Sequence, residues 1–120
     1  MSRHFFKTEY QGKPITVLMG FDRPMGGYFM VIEEDDQKDD DYIFTNLYEQ
    51  ITHPKTIKPY RDKLKQLGIF VPVEMLMAIE TDDTALMGNK DVYHSISNGT
   101  HQSHEYGFSE RMALNIRLDS

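Results

Sequence analysis

The chain has 120 residues, 39% of them apolar and 12% aromatic, enough for one modest core and too few for two. Its net charge of −6 equals the charge of nine residues, 33–41, "EEDDQKDDD", with seven acids and one lysine; everything else sums to zero. That balance weighs against a nucleic-acid binder, which needs a basic face, and no apolar run approaches the roughly 18–20 residues of a membrane span.

In chain order, "HFFKTEY" (4–10) and "ITVLMGFD" (15–22) are aromatic and β-branched runs separated by "QGKP", where Gly12 and Pro14 mark a turn. Ile15, Val17, Met19 and Phe21 alternate with a strand's period of two. "RPMGG" supplies a second turn, and "YFMVIEE" (28–34) is apolar on both faces, as a covered inner strand would be. The acidic run follows, and "YIFTNL" (42–47) returns as a fourth strand. Four strands joined by short polar turns predict an antiparallel meander.

The period then changes. Ile57, Tyr60, Leu64 and Leu67 form one stripe of a helix over about 57–67, with Pro59 in its first turn and Gly68 as its stop. In "VPVEMLMAIETDD" strand-like alternation competes with a helix over about 72–81; Pro72 at the start and good helix formers after it favour the helix, with Val73, Leu76, Met77 and Ile79 buried. Residues 88–107 read by composition as a long polar loop. "RMALNIRLD" alternates again and predicts a last strand over 111–118. The fold class expected is α+β, a single small domain over 1–120 with helices on one face of an antiparallel sheet.

Chemistry concentrates in three places. His94, His101 and His104, with Glu105 beside them, offer imidazole and carboxylate ligands suited to zinc or another divalent metal, yet their H-x6-H-x2-H spacing matches no zinc pattern. His104–Glu105 or His94 with Asp91 would suit acid–base work, but no nucleophile context accompanies them. The acidic run, with Asp35, Asp36, Asp39, Asp40 and Asp41, lacks the glycine and spacing of an EF-hand and reads as a solvated hairpin loop or a protein-binding element. Residues 55–65 carry five bases and one acid, and Lys58, Arg61 and Lys65 share one polar face of the first helix, placed to meet the acidic loop or a partner.

The chain has no cysteine, and its first residues, "MSRHFFKTEY", lack the apolar stretch of a signal peptide, so a reducing cytoplasm is expected. The expected function is a non-enzymatic cytoplasmic interaction or regulatory module without a cofactor. It would bind a protein partner or a second copy through the acidic loop or the basic helix, and neither nucleic acid nor membrane. The alternative is a small metal-binding protein or metal-dependent hydrolase centred on His94, His101 and His104.

Overall fold

The computed structural model describes residues 2–36, 42–84 and 90–107. Strands β1 (Ser2–Tyr10), β2 (Lys13–Asp22), β3 (Gly27–Glu34) and β4 (Phe44–Thr45) form the expected antiparallel meander. The fourth strand is shorter than expected: Thr45 caps a single 3-10 turn, Asn46–Tyr48, by accepting a hydrogen bond from the Leu47 N–H, and this ends the pairing. Helices α1 (Lys58–Leu67) and α2 (Val73–Thr84) follow, then β5 (Lys90–Ser97) and β6 (Thr100–Gly107). The sheet is mixed, six strands in the order β4-β3-β2-β1-β5-β6, with β5 parallel to β1 and β6 antiparallel to β5.

Alternation does the sorting. Val17 and Met19 of β2 stand opposite Ile32 and Met30 of β3, and Val17 opposite Phe6 of β1; with Ile15 and Tyr28 they share one face, where Tyr60 and Leu64 of α1 and Met75, Leu76 and Ile79 of α2 cover them. Helix α1 ends at Gly68, whose φ of 73° is costly for any side chain, while the Ile69 N–H returns to the Leu64 carbonyl. Tyr60, buried under the sheet, donates its hydroxyl to the Tyr28 carbonyl, and burial pushes its pKa upward. At Gly20 the packing leaves no room for a Cβ, which would overlap the Ser2 carbonyl oxygen.

Two expectations need correction. Val73 and Met77 are exposed, and α2 instead buries Met75, Leu76, Ile79 and Asp82, because its inward stripe is rotated toward β1 and β2. Residues 90–107 are a β-hairpin, and the loop expected there is confined to the two-residue turn Asn98–Gly99, both at positive φ. Its side chains are polar because β6 is an edge strand, so composition concealed the pairing. The strand expected over 111–118 lies outside the described residues, as do Asp39, Asp40 and Asp41.

Candidate functional site

Three sequence-distant pieces converge at the parallel seam between β1 and β5. Antiparallel pairing sets His94 opposite Ser103, Ile96 opposite His101 and Val92 opposite Glu105, so His94, His101 and Glu105 all point to the helix side of the sheet. His104 stands opposite Tyr93, which faces the other way. The four residues read as metal ligands are thus divided between the two faces, and among the described residues no three His, Asp or Glu side chains are grouped to hold a metal ion.

The structure makes a linear series instead. Asp82, on the last turn of α2, lies 2.6 Å from His4 Nε2; His4 Nδ1 lies 2.8 Å from His94 Nε2; His94 Nδ1 lies 2.9 Å from His101 Nε2. Successive rings are stacked with centroids 5.1 Å apart. His4 (1% exposed), Asp82 and His94 are buried, and His101, half-buried, ends the series toward solvent. Lys90 Nζ binds the second Asp82 oxygen at 2.7 Å and approaches Glu105 at 3.8 Å. Burial alone pushes the Asp82 carboxyl upward, but bonds from His4, Lys90 and Ser2 outweigh it and hold it below its ordinary value. Burial lowers the His94 pKa to about 4, helped by His4 and His101 and opposed by Asp82.

A second feature lies beside this series. The β1–β5 pairing stops at Phe6 and His94, although β1 continues to Tyr10 and β5 to Ser97. Where the strands separate, a cleft of about 520 Å³ opens, walled by Phe5, Phe6, Tyr93 and Ile96. Lys7, Thr16, His94 and Ser95 supply its polar groups. The cause is topological: the chain leaves β1 toward β2 on one side, while β5 occupies the other, and crevices open at the carboxyl ends of parallel strands at such a divergence. On the face away from the helices, Val31, Leu18, Phe5 and Tyr93 are direct cross-strand neighbours in a continuous row. Phe5 and Tyr93 stack at 4.7 Å with their planes 10° apart, and the Arg3 guanidinium lies 5.7 Å from the Phe5 centroid. Arg3 also makes a two-pronged bond to buried Asp91, at 2.8 and 2.7 Å, which raises the Arg3 pKa.

The charged elements singled out in the sequence are dispersed. Asp35 accepts hydrogen bonds from Thr16 and Lys7, and the Thr16 bond first lowers its pKa. Glu34 meets Lys13 at 3.7 Å. On α1, Lys58 pairs with Asp62 one turn on, and Arg61 reaches Glu80 of α2. Among the described residues, then, the ion pairs of the acidic run come from β1 and β2, and those of Lys58 and Arg61 from the helices. Asp36 and Lys65 are exposed.

Sequence reasoning missed His4 and Asp82. His4 opens an aromatic strand, and Asp82 sits in a helix end rich in Asp and Thr. The available signal was parity: a histidine at position 4 falls on the same strand face as core Phe6.

No helix among the described residues is long and apolar enough to cross a membrane. Comparison with protein-family models, with curated proteins and with solved structures finds no match to this chain.

Proposed function

We propose that the protein is a non-enzymatic interaction module that takes an extended, apolar segment of a partner protein into the cleft between β1 and β5. The observation that carries this reading is the combination of an apolar wall with two strand edges that, among the described residues, are unpaired across the gap beyond Phe6 and His94. A peptide in extended form satisfies both, giving main-chain hydrogen bonds to a strand edge and side chains to an apolar surface. The cleft volume lies within the roughly 300–1,000 Å³ typical of ligand pockets. A cysteine-free composition supports the cytoplasm as the place of action.

The acidic run with Asp35, Asp36, Asp39, Asp40 and Asp41, and the bases Lys58, Arg61 and Lys65, have an orienting role in the same reading: segregated charge steers encounter more than it adds affinity. The test is selection of random peptides on the wild-type protein, followed by titration of the selected peptides against Ser95→Trp. Ser95 is exposed in β5, so the indole fills the cleft without removing a core side chain. Apolar peptides that lose at least tenfold in affinity on Ser95→Trp support the reading. Peptides that bind both proteins equally, or no enrichment at all, refute it.

A further inference from the structure

We propose that Asp82, His4, His94 and His101 form a proton-binding and proton-conducting site, loaded at His101 and holding one excess proton without loss of a hydrogen bond. This stands apart from the cleft reading and does not depend on it.

The argument is a count of ring hydrogens. The series has two ring-to-ring contacts, each needing one N–H, and Asp82, an ionised carboxylate, needs an N–H from His4 Nε2. Three neutral imidazoles supply those hydrogens when every ring is the Nε2–H tautomer. His4 Nε2–H then donates to Asp82, His94 Nε2–H to His4 Nδ1, and His101 Nε2–H to His94 Nδ1. The lone pair left over is on His101 Nδ1, at the solvent end. A fourth proton binds there and breaks nothing.

It can also move inward. The His101 Nε2–H proton passes to His94 Nδ1 as the N–H bond on His101 breaks and one on His94 forms; the His94 Nε2–H proton then passes to His4 Nδ1. Each donor ring is left neutral as the Nδ1–H tautomer. The charge ends on His4, between His94 and the Asp82 carboxylate, and both ring contacts are again filled with the donors reversed. A fifth proton has no such place. It sets two N–H groups face to face across a gap of 2.8 or 2.9 Å, between β1 and β5 or between β5 and β6.

The charged groups facing the series are consistent with one proton held and shared. From α2, Asp82 stabilises charge on His4. From β5, Lys90 occupies the other Asp82 oxygen, and from β6, Glu105 faces Lys90. From β1, Ser2 adds a bond to Asp82, while Arg3 and Asp91 neutralise each other on the opposite face.

The test is ring-nitrogen NMR of the uniformly ¹⁵N-labelled protein across pH. Three independent imidazoles near the ordinary value of about 6.5 would take up almost three protons between pH about 8 and 5; the relay takes up one. Expected are three Nε2–H tautomers at the alkaline end, then one proton's worth of shift spread over the series with a common midpoint, the charge on His101 or His4 while His94 exchanges its Nε2–H for its Nδ1–H tautomer and stays neutral. In His101→Gln the amide still donates to His94 but cannot be loaded, so the His4 and His94 nitrogens stay at neutral values down to pH about 5. His104→Gln, on the other face, leaves the wild-type curve unchanged. Mixed tautomers at alkaline pH, three separate midpoints with full amplitude, or unchanged His94 titration in His101→Gln would each overturn the proposal.

Discussion

Acidification from pH 7 to 4 is expected to cost this protein about 3 kcal/mol of stability through His94 alone. In the unfolded chain the imidazole has its ordinary value of 6.5, and in the folded one burial, helped by His4 and His101, lowers it to about 4. Between those two values the unfolded chain carries a proton that the folded chain does not, so stability falls as pH falls, beginning near 6.5 and levelling near 4. At 1.36 kcal/mol per pH unit, the interval is worth about 3 kcal/mol. That is a substantial share of the ~5–15 kcal/mol typical of a small domain. Asp82 and Asp35, both held below their ordinary values, contribute in the same direction but at lower pH, as they are protonated below about 4. The window from 6.5 to 4 is therefore read separately by urea unfolding at constant ionic strength. His94→Gln, which cannot charge, is expected to start about 1–2 kcal/mol less stable at pH 7 and to lose most of the slope in that window. A wild-type midpoint that stays flat from pH 6.5 to 4.5, or the same slope in His94→Gln, refutes the reasoning.

Three further outcomes follow from packing and pairing. Gly20→Ala drives a methyl into the Ser2 carbonyl and is expected to cost at least about 3 kcal/mol, seen as a melting temperature lowered by 10 °C or more; a loss under 1 kcal/mol refutes that close approach. Tyr60→Phe keeps the ring against Phe44 and removes the bond to the Tyr28 carbonyl, so urea unfolding should show a loss of about 1 kcal/mol. Arg3→Met removes the guanidinium from buried Asp91 and is expected to cost about 2 kcal/mol at neutral pH, less than for a fully buried pair because Arg3 is 39% exposed. Thermal melts of the two proteins at pH 7 would show it.

The meander was legible because β1 and β2 bury one face, which imposes the alternation seen in Ile15, Val17 and Met19, and because β3 is apolar on both faces and buried along most of its length. Helix α1 was legible for the analogous reason, with Ile57, Tyr60 and Leu64 all buried. Val73 and Met77 were misassigned because hydrophobicity alone does not fix how far a helix is turned about its axis. The hairpin β5–β6 carries Ser, Asn, Gln and His along an edge where alternation has little core to answer to. Its one clear local signal was Asn98–Gly99, a pair that favours the two-residue hairpin turn. The candidate site was half legible. His94 and His101 stood out as a cluster, but His4 is brought to them by a parallel pairing across some 90 residues of sequence, and Asp82 by the packing of α2 against β1. No window of the sequence contains both.

That same parallel pairing gives the sheet a joint as well as a register. Five residue pairs, Ser2–Phe6 with Lys90–His94, fasten the hairpin to the meander, whereas eight join its own two strands. On the helix side, imidazoles and a carboxylate take much of the place that hydrocarbon holds elsewhere in the sheet. Folding should therefore proceed in two acts. The meander and helices form around their apolar core, and β5–β6, quick to close through its tight turn, docks last as a preformed ribbon. The ring nitrogens then decide at what acidity it docks, so the last step of folding responds to protons while the earlier ones respond to hydrocarbon burial.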